Sequence, residues 1–141
     1  MAEKRNITRL IFSISSLVDL GQEVTSAKSF NERMKTALYV VTGMFSVPKA
    51  ALLVYNSNQQ RLKLITHKGL KDTTWGNIHV KAKHIKSFSK NEPYSLSKIK
   101  TNFLYNPNTE ALEKFHTKTF IPLFAKDEFV GAICLGKRLS R

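Results

Sequence analysis

Four histidines, one cysteine and two close acid pairs are the residues here whose types could do chemistry. His67, His79, His84 and His116 could each ligate a metal or move a proton near neutral pH. Their spacing follows no metal-site pattern, and no thiol or carboxylate cluster stands beside any of them. Glu110/Glu113 and Asp127/Glu128 are the only close carboxylate pairs, the arrangement that general acid and base work needs. The first pair fits an exposed helix face and the second a solvated turn. The glycines at 21, 43, 69, 76, 131 and 136 are isolated, so no phosphate-cradling loop forms. Cys134 stands in a run that is apolar on both sides, the setting of a small buried hydrophobe; a redox sensor would need an exposed, thiolate-stabilising one. No catalytic centre assembles from these parts, and the expectation is a protein without an active site. His79 and His84 remain as groups that could hydrogen-bond a ligand or sit on the surface.

Charge points the same way. Lys and Arg number 23 against 10 Asp and Glu, for a formal net charge of +13. Between Arg61 and Lys100 stand ten basic residues and two acids, Asp72 and Glu92. Such a field favours a phosphate-bearing ligand, nucleic acid or an acidic surface. The basic residues sit singly more than in runs, so a solvated lysine-rich face is the alternative. A single cysteine excludes an internal disulfide, and a reducing cytoplasm is the expected location. No apolar run approaches the roughly 20 residues that cross a bilayer, and Ile7 to Leu20 is too interrupted to be a signal peptide.

The elements that would position these groups follow from periodicity. From Glu3 to Ser26, Ile7, Leu10, Ile14, Leu17, Gly21 and Val24 recur three and four apart, a heptad seam that Ile11 and Val18 widen on one side. Such a stripe can pack on its own domain or on a second copy, and a dimer interface through Ile7, Leu10, Ile14 and Leu17 is expected. Ser29 with Glu32 forms a capping box for a second helix, whose apolar face runs from Phe30 to Phe45 and which Pro48 stops. Ala50 to Tyr55 and Arg61 to His67 form an antiparallel hairpin across Asn56 to Gln60. A short strand at Asn77 to Val80, a basic helix within Lys81 to Lys90 and an edge strand at Pro93 to Leu96 come next. Lys98 to Asn108 forms a loop, followed by a helix holding Ala111, Leu112 and Phe115. Thr119 to Ala125 and Phe129 to Leu135 close the chain as a tight hairpin. This order predicts an α+β domain, with helices on a mostly antiparallel sheet.

The order, together with the closing segment Phe120-Ile121-Pro122-Leu123-Phe124-Ala125-Lys126-Asp127-Glu128-Phe129-Val130-Gly131-Ala132-Ile133-Cys134-Leu135-Gly136, resembles the GAF family of sensory domains. Members often end with Pro-Leu, a short turn, then a Val-Gly-apolar strand closing near Leu-Gly. PAS-type sensors are the related alternative. The resemblance implies a GAF/PAS-like antiparallel sheet of five or six strands, with two long helices on one face. Short helices and loops enclose a pocket on the other face. It implies residues 1–27 as a dimerisation and signalling helix and residues 28–141 as the sensory core, all one domain. Many relatives run on past the position of Ser140-Arg141 through a connecting helix, so the chain is expected to be a fragment of a larger protein.

The family's pocket corresponds to Trp75 to His84 and Phe103 to Thr119. There Trp75, Phe103, Tyr105 and Phe115 offer faces for stacking a base, while Lys83 and His84 could meet a phosphate. His79 and Thr119 complete the expected ligand set. The function so implied is a non-catalytic regulatory domain that binds a small ligand, with cyclic AMP or cyclic GMP as the candidate. It would control an attached output domain such as a diguanylate cyclase, histidine kinase or adenylate cyclase. The Asn-Lys-Phe-Asp-Glu signature of the phosphodiesterase members is absent. No cysteine lies in the pocket region to attach a bilin, and no cofactor or metal is assigned. The alternatives are a ligand-free dimerisation module and a basic nucleic-acid-binding domain. The latter lacks a helix-turn-helix or an aromatic-basic strand signature.

Overall fold

The computed structural model describes residues 2–24, 26–71, 77–88, 92–98, 112–113 and 117–138, with backbone only at 2–7, 20–24, 27 and 77. Two helices lead, α1 (Ala2–Val24) and α2 (Ala27–Phe45). The strands are β1 (Ala50–Asn56), β2 (Arg61–Lys68), β3 (Asn77–His79), β4 (Tyr94–Ser95), β5 (Thr119–Ala125) and β6 (Glu128–Leu135). A one-turn helix, α3 (Ala82–Ile85), lies between β3 and β4, and residues 112 and 113 are helical. The strands form one six-stranded antiparallel sheet in the order β3-β2-β1-β6-β5-β4. This is the α+β, GAF-like architecture that the sequence predicts.

Local chemistry explains the joints. The cap of α2 is Ser26, not Ser29: the Ser29 N–H donates to the Ser26 hydroxyl at 3.3 Å, so the helix opens before the expected capping box. At its other end Ser46 adopts φ 55°, and its N–H reaches the carbonyls of Gly43 and Thr42. The helix is thus closed two residues before Pro48. The hairpin between β5 and β6 turns on Lys126 and Asp127, both at positive φ (51° and 70°), the backbone a two-residue turn needs to match strand twist. Between β1 and β2, the Asn56 side chain accepts from the Gln59 N–H at 3.0 Å.

Alternation along the strands builds two cores. Ala50, Leu52 and Val54 of β1 face the long helices, meeting Ile11, Ile14 and Val18 of α1 and Phe30, Met34, Leu38 and Val41 of α2. Ser15 is buried in that α1 stripe and satisfies its hydroxyl on the Ile11 carbonyl at 2.9 Å. Ala51, Leu53 and Tyr55 face the opposite core, with Leu62, Ile78, Phe88, Tyr94, Phe120 and Phe129. A sheet covered on both faces accounts for the unbroken apolar run of β1. The stripe on α1 differs from the expected seam. Its buried line is Ile11, Ile14 and Val18, which turns Ile14 (2% exposed) into the chain's own core and leaves Leu17 (40% exposed) outside. No helix among the described residues is long and apolar enough to cross a membrane.

Candidate functional site

Two irregularities in the ladder decide which side chains reach the face opposite the helices. Leu53 pairs with Leu64 but Leu52 with Thr66, so Ile65 is an extra residue in β2. A one-residue insertion reverses which face every later residue meets. Leu62 and Leu64 therefore join the pocket-side core and Ile65 the helix-side core. Beyond the bulge, His67 pairs with Ala51, a pocket-side residue, and Lys68 with Ala50, a helix-side one. Lys68 then reaches α2, donating to the Thr42 hydroxyl at 3.3 Å with its ammonium 5.1 Å from the Tyr39 ring centre. The second bulge lies in β6, where Leu123 pairs with Gly131 and Phe124 with Phe129, leaving Val130 as the extra residue. Val130 turns to the helices while Phe129 and Ala132 stay on the pocket side.

The floor of the pocket side follows from register. One row crosses five strands as His67, Ala51, Cys134, Phe120 and Tyr94. The centre of this face carries the small residues Ala51, Ala132 and Cys134, and the side nearer the β4 edge carries aromatic rings, all within the buried core. Phe88 lies 5.9 Å from Tyr94, 5.7 Å from Phe120 and 5.7 Å from Phe129, centre to centre. Tyr55 packs edge-on to Phe129 at 4.8 Å and donates its hydroxyl to the Val80 carbonyl at 2.7 Å. That bond ties β1 to the residue after β3, and burial raises the phenol's pKa.

Polar groups without partners collect on this side. The Nδ1 atoms of His67 and His84 and the Oγ1 of Thr117 are enclosed and make no hydrogen bond. Buried polar atoms are normally satisfied within a fold, which sets these three apart among the described residues. His84 lies on α3 among like charges. Its pKa is lowered by desolvation first, then by Lys83, Lys81 and His79. Burial pushes the Cys134 thiol up to about 12, opposed by the nearby Thr117 hydroxyl, which comes close without making a full hydrogen bond. A thiol held this firmly protonated is a packing group and not a nucleophile. Among the described residues, no three His, Cys, Asp or Glu side chains gather to hold a metal ion.

The structure brings together part of the expected ligand set. His79 and Lys83 are near enough for their charges to act on His84 across the short span from β3 to α3. Thr119 is not with them. It pairs with Leu135 at the start of β5, shares the face of Ile121 and Leu123, and lines a cleft with Phe45 and Val47 on the helix side. The two-residue period explains the difference: a strand carrying Phe120 to the pocket side must carry Thr119 away from it. Trp75, Phe103, Tyr105 and Phe115 lie outside the described residues. Of the expected dimer residues, Leu10 is half-buried against the helix-side core, Ile14 is inside it, Leu17 is exposed, and the Ile7 side chain is outside the described set. His67 and Thr117 were not expected. The only trace of His67's placement is Ile65, which breaks the alternation of β2.

No family profile and no curated protein matches the chain. Solved structures do. A methyl-accepting chemotaxis protein (its residues 122 to 287) superposes with a TM-score of 0.55 at 18% identity, over 94% of this chain and 85% of that one. The phycoerythrobilin-bound GAF domain of a cyanobacterial phytochrome superposes with a TM-score of 0.51 at 9% identity, over 96% of this chain and 83% of that one. At these identities the likeness is one of fold, and the fold is GAF-like.

Proposed function

We propose that the chain is a non-catalytic sensory module of a signalling protein, which binds a small anionic ligand on its pocket side and passes the event to an attached output domain. The observation that carries this reading is the pairing of an enclosed, unpartnered His84 Nδ1 with the cations Lys81 and Lys83 on α3. Like charges beside an unsatisfied nitrogen are relieved by an anion that accepts hydrogen bonds. The rings of Phe88, Tyr94 and Phe120 lie within the same face, buried against one another, so a planar group would stack there by parting them. A cyclic nucleotide combines both features and is the ligand class put forward. The output domain would be a diguanylate cyclase, histidine kinase or adenylate cyclase. A cytoplasmic location belongs to the same proposal, supported by the free thiol of Cys134. Calorimetry with cyclic AMP and cyclic GMP tests the ligand: saturable heat that is lost in Lys83→Gln supports it. The absence of heat at high micromolar concentration removes cyclic nucleotides.

A second reading, that the helices serve as a dimerisation surface, rests on a separate observation. Phe12 (60% exposed) and Leu17 on α1, and Tyr39, Val40 and Met44 on α2, are large apolar residues on the outer helix surfaces. Sedimentation of Phe12→Glu/Leu17→Glu tests it. A fall from dimer to monomer mass supports the surface, and an unchanged mass refutes it. Ile14 is unsuited to this test, because a charge there would disrupt the core.

A further inference from the structure

We propose that a cleft at one end of the sheet, bordering the enclosed face at Leu96 and Thr117 but lined by other residues than the His84 cluster, binds the phosphate group of a small phosphorylated ligand. Antiparallel order brings the start of β1, the end of β6 and the start of β5 to the same edge, on three adjacent strands. Each carries a lysine there: Lys49 precedes β1, Lys137 follows β6 and Lys118 precedes β5. Neighbouring strands lie about 4.8 Å apart, so the three ammonium groups are rooted within roughly 10 Å.

These lysines line one cleft of about 550 Å³ with Pro48, Leu96, Glu113 and Thr117. Among the described residues, three lysines and one glutamate give this lining a formal charge of +2. Lys118 and Lys137 also border a second cleft of about 590 Å³, to which Arg138 adds another cation.

The second, independent feature is Thr117. It is 2% exposed and lines the first cleft, and its enclosed hydroxyl makes no full hydrogen bond, with the Cys134 thiol as its polar neighbour. Three of the surrounding main-chain donors are already used. The Thr117 N–H goes to the Leu112 carbonyl at 3.0 Å, the Lys118 N–H to Leu135 at 2.8 Å and the Gly136 N–H to Lys49 at 2.8 Å. An incoming group would be met first by three ammonium donors, and the enclosed Thr117 hydroxyl would turn from the Cys134 thiol to join them. A phosphate monoester brings close to two negative charges and three acceptor oxygens, which matches the lining in charge and in donor number. The volume leaves room for the organic part of the ligand.

The experiment is a titration of isotope-labelled protein in low-salt, phosphate-free buffer, followed by amide NMR. The probes are inorganic phosphate, ribose 5-phosphate, and ribose and acetate as controls. Both phosphate probes are expected to give saturable shifts centred on the amides of Lys49, Lys118 and Lys137, with ribose 5-phosphate binding at least as tightly. Lys118→Gln and Lys137→Gln are each expected to weaken binding about tenfold, the scale of one lost charged hydrogen bond. Lys63→Gln, an exposed change elsewhere on the sheet, is expected to leave binding unchanged. Thr117→Val is expected to weaken binding and Thr117→Ser to retain it; if the valine variant fails to fold, the lysine variants decide. Shifts that never saturate, that acetate reproduces, or that persist in both lysine variants would overturn the proposal. So would shifts centred on β3 and α3, or exclusion of ribose 5-phosphate by a site that takes inorganic phosphate.

Discussion

Gly131 offers a sharp test of the sheet's central geometry. A Cβ at this position would overlap the Leu53 carbonyl oxygen and stand 3.4 Å from Val54 Cα, both main-chain atoms of the adjoining strand. No rotamer change can relieve a clash with backbone, so β6 and β1 must separate where Val54 pairs with Gly131. Overpacking of a tight interior costs about 1–3 kcal/mol, and a clash with a hydrogen-bonded carbonyl belongs at the upper end. For a chain of 141 residues the unfolding entropy is about 0.3 kcal/mol per degree, so Gly131→Ala is expected to lower the melting temperature by roughly 10 °C. Gly43 supplies the opposite case. It lies inside α2 with nothing within 4 Å of where an alanine methyl would stand, so Gly43→Ala is expected to stabilise by about 0.5–1 kcal/mol, or roughly 2–3 °C. Calorimetric melts of the two variants beside the unaltered chain decide. If Gly131→Ala melts within about 2 °C of the unaltered protein, the close approach does not constrain the sheet and the reasoning fails.

Two further outcomes follow from titrating groups. Cys134 is expected to resist alkylation in the folded protein at pH 8 and to react at once in denaturant; rapid labelling of the native state would contradict its burial. The same thiol stays protonated in the fold up to about 12, above its ordinary value of 9.0, so unfolding releases a proton between those values. Stability is therefore fully present below about pH 9 and is lost as pH rises toward 12, and Cys134→Ala should flatten that part of the profile in urea melts. His84 has the opposite sign, since its pKa is lowered in the fold. Its contribution is present above the ordinary histidine value of 6.5 and is lost as pH falls through the folded value. Imidazole NMR should place its midpoint below that of an exposed histidine, and Lys83→Gln should raise it; an unmoved midpoint would remove the lysine from the account.

The order of elements was legible because both hairpins and both long helices are marked by local signals: turn residues between apolar runs and a sustained three-and-four spacing. The antiparallel six-stranded sheet follows from those hairpins once β1 pairs with β6. Finer placement depended on features that periodicity does not carry. The cap fell on Ser26 because one helix start offered two serines three residues apart, and spacing alone does not choose between them. The buried line of α1 ran through Ile11 and Val18 because the sheet, and not a partner helix, is what that face meets. At the site, His79, Lys83 and His84 were legible as a group because they are neighbours in sequence, and a short strand and a one-turn helix cannot separate them far. Thr119 was misplaced for want of a known strand face. Thr117 gave no sequence signal at all, since Lys49, Lys137 and the Cys134 thiol are brought to it only by folding.

The extra residue at Ile65 has a directional consequence. Neighbours in a strand always look in opposite directions, and the insertion decides which way each looks: His67 toward the enclosed face, Lys68 toward Tyr39 and Thr42 on α2. Without that residue the two would exchange faces: the imidazole would meet α2, and the ammonium would be turned toward the apolar core beside Ala51.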